Sequence, residues 1–316
     1  MLEDITILDF TTLLPGPHAS SRLAELGATV WKVEPPGGDP ARHIGPQQEG
    51  MGIVFHVHAQ NKKLCEINLK TPEGQTSARD LIRQTDVLLE GFRPGVPERL
   101  GLGYEALSQI NPRLIYCALT GYGQTDPRAH LAGHDINYLA LSGMLSQHVD
   151  CHNVPILPSV QWADLIGGQG AVEAILAALV NRHRTDHGQF LDVSILAQLQ
   201  KLLRVHAEIW RITKMPRGAP ELIGHVVCYH LYRTADDRFV ALGALEKKFW
   251  ENFCHALHFP HWIPYQFSQA DPMNPVYQEI QDVFLSRNLP YWSDFGQGVD
   301  ACLTPVLSLA ESLSLE

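Results

Sequence analysis

Apolar and polar positions in the first 200 residues alternate between short apolar runs and longer amphipathic stretches. ITILDF (residues 5–10) predicts a buried strand, LPGPHASSRLAELGA predicts a turn and a helix that ends at Gly27, and TVWKVE predicts a second strand. Further strands are predicted at CEINL, DVLLEGF, RLIYCALTGYG and QFLDVSIL, with a helix that Thr71 opens. Because strands that alternate with helices form parallel sheets covered by helices, the pattern predicts a Rossmann-like α/β domain.

The pattern changes around residue 200. A long helix of small and apolar residues is predicted at 164–182 and a more polar one at 197–212, after which KMPRGAP is typical of a linker. HVVCYHLYRTADDRFVALGAL then predicts a hairpin, followed by a helix at KKFWENFCHAL. We therefore predict a large parallel-sheet domain at 1–200, a linker helix and linker at 201–221, a smaller α+β domain at 222–305 and a C-terminal segment at 306–316.

Composition narrows the range of functions. Lys and Arg total 24 against 34 Asp and Glu, which argues against nucleic-acid or anionic-membrane binding as the main activity. The six cysteines have no zinc-type spacing, no signal peptide precedes the first strand, and AVEAILAALV stops short of a membrane span at Asn181. We expect a cytoplasmic protein with neither nucleic acid nor membrane as partner.

Motifs for common cofactors and metals are missing. The chain has no GxGxxG and no GxxxxGK[ST], so the phosphate-binding turns of dinucleotide and nucleotide sites are not predicted. Sixteen histidines include pairs at 56/58, 130/134 and 148/152, but no HExxH or Cys/His block accompanies them. We expect no metal.

Three side chains have both a structural and a catalytic interpretation. His134 follows Gly133 and precedes Asp135, which can tune an imidazole, although a histidine that only packs is the commoner case. Asp164 at a predicted helix start and Glu246 between a strand and a helix can each be a cap or a site residue. At the start of its helix, Asp164 is expected to be favoured as a carboxylate.

Basic residues at strand ends in the first domain are candidates for an anion site, with ordinary surface charge as the alternative. They are Arg42, Lys62, Lys63, Lys70 and Arg93.

Several stretches together resemble the family III CoA-transferase superfamily, and within it the α-methylacyl-CoA racemase branch. They are LLPGP with LAELGATVWKVEPPGGDPAR, VLLEGFRPGVPERLGLGYEAL, NPRLIYCALTGYGQ, AGHDINYLALSG, ADLIGG, GALEKKFW and DACLTPVL, in family order from residue 7 to 308. The resemblance implies the family fold, an acyl-CoA thioester bound between a large and a small domain, an interlocked homodimer, and no cofactor, since CoA is part of the substrate.

The resemblance also implies roles for individual residues. His134 and Asp164 would be the catalytic acid/base pair that inverts the α carbon of a 2-methylacyl-CoA through an enolate. Glu246 would support His134, and Asp135 would belong to the His134 side of the site. Contacts with CoA or the acyl group are implied for Ile67, Asn68, Leu69, Lys70, Gly133, Ile136, Asn137 and Tyr138, with Arg42 and Arg93 as phosphate partners. We expect amides at the glycine-rich helix start near Asp164 to stabilise the enolate.

Two departures from the family pattern leave other functions open. Pro35 follows Glu34 where the family commonly has Arg, so one CoA contact is missing and Arg42 is its possible substitute. The chain ends soon after DACLTPVL, where the family continues with a segment that returns to the large domain. The alternatives are a family III CoA-transferase with Asp164 as nucleophile, or a CoA-thioester-binding protein without activity.

Overall fold

The computed structural model describes residues 1–315 and divides into two compact units, Met1–Arg204 and the residues from Val205 onward. The strands are β1 Thr6–Asp9, β2 Thr29–Glu34, β3 Gln47–Gln48, β4 Met51–Gly52, β5 Lys62–Glu66, β6 Val87–Glu90, β7 Ile115–Thr120, β8 Gln189–Ser194, β9 Tyr229–Arg233, β10 Phe239–Gly243 and β11 Leu303–Pro305. The helices are α1 Pro15–Glu25, α2 Ile53–Ala59, α3 Pro72–Ile82, α4 Val96–Arg99, α5 Tyr104–Ile110, α6 Asp135–Ser142, α7 Met144–Gln147, α8 Trp162–Thr185, α9 Ile195–Leu202, α10 Arg204–Thr213, α11 Lys247–Ala256, α12 Pro275–Leu285, α13 Leu289–Gly298 and α14 Leu309–Leu313. Short 3₁₀ helices lie at Pro40–His43, Pro220–Leu222 and Pro260–Tyr265.

The first unit is built on a six-stranded sheet with the order β5-β2-β1-β6-β7-β8. Every neighbouring pair is parallel, and Ile7 of β1 pairs with Val30 on one side and Val87 on the other. The predicted parallel-sheet α/β fold is therefore confirmed. The strand order reverses between β1 and β6, and ligands bind parallel sheets at the carboxyl ends of the strands beside such a reversal.

Helix α8 is the central helix of the first unit. It packs against α1, α9, β7 and β8, and it buries Val172, Ile175 and Ala178 in the core. By length and composition alone the whole of α8 could cross a membrane, a test that a helix in a protein core also passes; the apolar run AVEAILAALV is only part of it.

Two glycines of α8 allow close packing with its neighbours. A Cβ on Gly168 would lie 2.5 Å from the carbonyl oxygen of Pro15 in α1, and one on Gly167 would lie 2.6 Å from the Ile195 side chain. Since real Cβ atoms do not approach that closely, only glycine lets the start of α1 lie directly on α8. The start of α1 approaches Gly168 with its backbone, whereas α9 approaches Gly167 with the Ile195 side chain.

The predicted single helix at 197–212 is two helices. Ser194 caps α9 by accepting a hydrogen bond from the Ala197 amide, and α9 buries Ile195, Leu196 and Leu199. The second helix, α10, has no buried residue. The buried apolar positions therefore end at Leu199, and the apolar residues of α10, such as Val205 and Trp210, are exposed.

The second unit contains a three-stranded antiparallel sheet in the order β11-β10-β9. The predicted hairpin is present as β9 and β10, and Asp237 in its turn has a left-handed φ of 65°. Strand β11 was not predicted. The core of this unit is rich in large aromatic side chains, including Trp250, Phe253 and Trp292.

Candidate active site

A cavity of about 490 Å³ lies within the first unit, at the carboxyl ends of the strands beside the β1–β6 reversal. Its walls come from the loops that follow β1, β6 and β7, from the segment before α6 and from the start of α8. The lining includes Thr11–Gly16, Gly91–Pro94 and Leu119–Tyr122, together with Gly133, His134, Tyr138, Gln161 and Asp164. Residues 30 positions apart in the sequence, His134 and Asp164, therefore share one cavity.

His134 is the residue that precedes the first turn of α6. Its N–H donates to Asn137 Oδ1 at 3.0 Å, and its carbonyl accepts the Asn137 N–H at 2.8 Å. The Tyr138 hydroxyl donates to the Gly133 carbonyl at 2.8 Å, and a Cβ on Gly133 would lie 2.8 Å from the Tyr138 ring. Contacts of Gly133, Asn137 and Tyr138 thus fix the backbone around His134 and leave its imidazole on the cavity wall.

Asp135 connects the first turn of α6 with the first turn of α8. Its Oδ1 accepts the amides of Ala163 at 2.7 Å and of Asp164 at 3.1 Å. Gln161, which precedes α8, makes no side-chain capping bond. Asp135 is therefore the N-terminal cap of α8, supplied from another helix, and it holds the backbone of Asp164 near that of His134.

Asp164 does not cap its own helix. It is the third residue of α8, and across residues 1–315 its carboxyl group has no hydrogen-bond partner. Burial raises the pKa of Asp164 to about 7, and the negative charge of Asp135 adds to the shift. The expectation that the helix start would favour the carboxylate was wrong, because desolvation and a like charge outweigh the helix dipole.

The amides expected to stabilise an enolate at the start of α8 are already occupied. Trp162 N–H donates to the Val160 carbonyl, Leu165 N–H donates to the Gln161 carbonyl, and Asp135 takes the two amides between them. That expectation was therefore wrong. At the start of α6, by contrast, the amides of Asp135 and Ile136 have no acceptor in the described part of the chain.

Tyr138 is a positioning side chain more than a proton carrier. Burial raises its pKa to about 12, with Tyr122 and Asp164 adding to the shift and Arg93 opposing it. Tyr122 packs edge to face with Tyr138 at a ring distance of 5.4 Å. The phenol therefore stays protonated and keeps its bond to the Gly133 carbonyl.

Glu246 belongs to the second unit, whereas His134, Asp135 and Asp164 belong to the first. It precedes α11, and its carbonyl accepts the amides of Phe249 and Trp250. Its exposed side chain makes no capping bond, so the capping interpretation of the carboxylate was wrong. Its support of His134 stays a prediction.

A second cavity of about 420 Å³ holds the residues expected to contact CoA. Ile67–Lys70 line it, together with Glu34, Pro35 and Pro36. Thr12 and Phe92 line both cavities, so the two are adjacent. The segment expected to bind CoA thus lies beside the cavity that contains His134 and Asp164.

The candidate phosphate partners have different surroundings. Arg42 donates to Glu34 through Nε at 2.8 Å and a terminal nitrogen at 2.6 Å, and its guanidinium lies 3.9 Å from the centre of the Phe55 ring. Arg93 is exposed on the wall of the first cavity. Lys62, a candidate for an anion site with surface charge as the alternative, is instead buried against Asp9, because its ammonium faces inward from β5.

Two of the predicted contacts lie outside both cavities. Ile136 and Asn137 are exposed on α6 and do not line either cavity. Among residues 1–315 no group of three or more His, Cys, Asp or Glu side chains could hold a metal ion.

Sequence reasoning missed part of the cavity wall. The loop Thr11–Gly16 and the side chain of Gln161 line it, yet neither was named as a site residue. The signal was present in the PGP turn after the first strand, because the first strand-to-helix turn of such a fold faces the ligand crevice.

The fold and the cavity define a doubly wound α/β protein with a carboxyl and an imidazole group facing one ligand site. Residues 2–316 match CoA-transferase family III, and the chain belongs to this family. This confirms the family that the motifs of the sequence indicate.

Relatives of known name include both racemases and transferases. The chain is 37% identical to alpha-methylacyl-CoA racemase of Homo sapiens over 98% of its length and 78% of the human chain. It is 36% identical to succinyl-CoA:glutarate CoA-transferase of Mus musculus over 83% of its length and 61% of that chain. A solved CAIB/BAIF family protein from Brucella suis has a TM-score of 0.81 at 25% identity and covers 98% of this chain, which in turn covers 85% of that protein.

Proposed function

We propose that this protein is a racemase-like epimerase that inverts the α carbon of 2-methylacyl-CoA thioesters by deprotonation and reprotonation. The observation that carries the proposal is that His134 and Asp164 line one cavity, with the pKa of Asp164 raised to about 7. A group with a pKa near the working pH can both take and give a proton. An imidazole can do the same near neutral pH, so the pair suits proton exchange in both directions.

The proposed reaction needs one proton on the pair. One member, unprotonated, removes the α proton from one face of the thioester, and an enolate forms. The other member, protonated, gives its proton to the opposite face, so the product has the inverted configuration and the pair has exchanged protonation states. Because Ile136 lines neither cavity, the unoccupied amide of Asp135, which directly follows His134, is the candidate for the enolate oxygen.

The substrate side of the proposal rests on the two adjacent cavities. Ile67–Lys70 would contact CoA in the second cavity, while the thioester would reach His134 and Asp164 in the first. Arg93, exposed on the wall, is the better candidate for a phosphate, because Arg42 already makes two hydrogen bonds to Glu34.

The test is deuterium incorporation at the α carbon of (2R)- and (2S)-2-methylacyl-CoA in heavy water, followed by mass spectrometry and chiral analysis. We expect incorporation and inversion from both isomers, and greatly reduced exchange in His134→Ala and Asp164→Ala. His130→Ala and Glu173→Gln are matched controls, since both side chains are exposed and neither lines the cavity. Undiminished exchange in both site variants would remove the assignment.

A CoA-transferase gives a different result in the same samples. There, Asp164 would act as nucleophile and carry a covalent adduct after incubation with an acyl-CoA. Mass spectrometry of the protein detects such an adduct, and finding it on Asp164 would overturn the racemase proposal. Tight acyl-CoA binding with neither exchange nor adduct would identify a binding protein without activity.

A further inference from the structure

Four charged side chains are buried beneath the loop that joins β1 to α1. Lys32 Nζ lies 3.1 Å from Asp39 Oδ2, and Lys62 Nζ lies 3.6 Å from Asp9 Oδ2. The four side chains are at most 2% exposed. Two cations and two anions balance, so the cluster is neutral as a whole.

Stability alone does not account for this cluster. Removing charges from water costs free energy, and apolar side chains of similar volume often stabilise a fold as well as a buried ion pair does. Burial by itself would raise the pKa of Asp9, but Lys32 and Lys62, with the hydroxyls of Ser20 and Thr11, lower it overall. The charges are thus kept in place by specific contacts, which points to a geometric role.

The contacts of the cluster converge on the backbone of the loop. Asp9 Oδ1 accepts the Thr11 amide at 2.9 Å, and Lys32 donates to the Thr11 carbonyl. Asp39 Oδ1 accepts the Leu13 amide at 3.0 Å. Leu13 has a φ of 67°, a left-handed conformation that is unfavourable for leucine and persists only where the surroundings fix it.

The start of α1 is held from the same cluster. Lys62 donates to the Pro17 carbonyl at 2.8 Å and to Ser20 Oγ at 2.6 Å. Both ends of the segment from Thr11 to Pro17 are therefore attached to buried charges. Most of that segment is wall of the cavity that His134 and Asp164 share.

We propose that Asp39 is a positioning residue that holds Leu13 in its left-handed conformation on the wall of this cavity, with Lys32 balancing its charge. The inference rests on the proposed function, since the wall would orient the thioester between His134 and Asp164. A loop held this way keeps the substrate in reacting geometry, and small displacements of such a wall lower kcat more than affinity.

A matched pair of variants separates position from charge. Lys32→Met/Asp39→Asn and Lys32→Met/Asp39→Leu both remove one buried ion pair, but only Asn retains an oxygen for the Leu13 amide. We expect kcat for α-proton exchange to be at least 10-fold lower in Lys32→Met/Asp39→Leu than in Lys32→Met/Asp39→Asn, with the two KM values within about 3-fold of each other. Equal kcat in the two double variants would overturn the proposal.

A second measurement does not depend on catalysis, and its first part uses only the unaltered protein. Hydrogen–deuterium exchange, resolved by residue, should show the Leu13 amide of the unaltered protein to be strongly protected. In Lys32→Met/Asp39→Leu the Leu13 amide should exchange at least 10-fold faster than in Lys32→Met/Asp39→Asn. If the unaltered protein exchanges Leu13 as fast as an unstructured peptide, the positioning proposal is wrong. If Leu13 is protected but no α-proton exchange occurs, the proposed function fails and the holding of the loop stands.

Discussion

The first turns of α6 and α8 each carry an aspartate, and the two carboxyl groups have opposite surroundings. Asp135 accepts two backbone amides, whereas the carboxyl group of Asp164 has no hydrogen-bond partner in residues 1–315. The pKa of Asp164 is raised to about 7, mainly by burial and further by Asp135. A carboxylate that satisfies amides is structural, while a desolvated one beside it is ready to exchange a proton.

The largest expected effect comes from neutralising the unbonded carboxyl group. Asp164→Asn keeps its shape but can neither take nor give a proton, so kcat for α-proton exchange should fall about 100- to 10,000-fold. Deuterium incorporation measures it, with Glu173→Gln on the same helix as the control. A loss of less than about 10-fold would contradict the role of Asp164.

The pH profile sharpens the same comparison. Inversion in either direction needs one proton on the pair, so both substrate isomers should give the same bell-shaped profile of kcat/KM. One limb should lie near pH 7, where Asp164 titrates. Initial exchange rates between pH 5 and 9 test this, and different optima for the two isomers would argue against a shared proton.

Substitutions of Asp135 distinguish its role as the cap of α8 from the effect of its charge on Asp164. Asp135→Ala leaves the amides of Ala163 and Asp164 without their acceptor and should lower the free energy of unfolding by about 1–2 kcal/mol. Asp135→Asn retains an acceptor oxygen and should lose less. Both remove a negative charge that raises the pKa of Asp164, so in both the limb near pH 7 should move to lower pH.

Urea denaturation measures the stability of these variants, and the profile of deuterium incorporation measures the limb. Equal stability of the Ala and Asn variants would contradict the capping role. If the limb of the pH profile near pH 7 stays in place in both variants, the electrostatic role of Asp135 is contradicted.

Asp164 should also make the protein less stable as pH rises. Its folded pKa is raised above the unfolded value near 4, so between pH 4 and 7 the folded state binds more protons than the unfolded state, and stability falls with rising pH. Asp164→Asn lacks this loss, so it should be more stable than the unaltered protein at pH 8, by on the order of 1 kcal/mol after allowance for partial exposure. At pH 3 the difference should vanish. Urea denaturation at both pH values measures the free energy of unfolding. An Asp164→Asn variant no more stable than the unaltered protein at pH 8 would contradict the prediction.

The smallest effect on stability is expected at Glu246. Its side chain is exposed and caps nothing, so Glu246→Gln should change the free energy of unfolding by less than about 0.5 kcal/mol. If Glu246 supports His134, the same change should lower kcat for exchange several-fold. Lys247→Ala is the neighbouring control, and unchanged kcat in Glu246→Gln would end the predicted role.

The sequence predicted the strands and helices better than it predicted the contacts between them. Apolar runs such as those of β1 and β6 identify buried strands because burial on both faces removes polar residues from them. The capping of α8 by Asp135 could not be predicted, because it joins residues 28 and 29 positions apart through a turn whose geometry no local pattern encodes.

The error at Asp164 has the same origin. Its place near a helix start predicted a cap and an ionised group, and both expectations depend on where other charges lie. Neither interpretation of Lys62, as an anion-site residue or as a surface charge, was right, because a lysine at a strand start gives no sign of the buried carboxylate it meets. The family motifs favoured the site interpretation of residues that local patterns left ambiguous, and two of these residues, His134 and Asp164, line one cavity.

The close approach of Gly168 to Pro15 limits how this pocket could be redesigned. Since the backbone of α1 lies directly on α8 at that point, the two walls that meet there cannot be spread by small substitutions without losing the contact. An engineer who wants a bulkier acyl group should therefore trim replaceable side chains on the wall, such as Leu14 or Leu131, and leave the glycine alone.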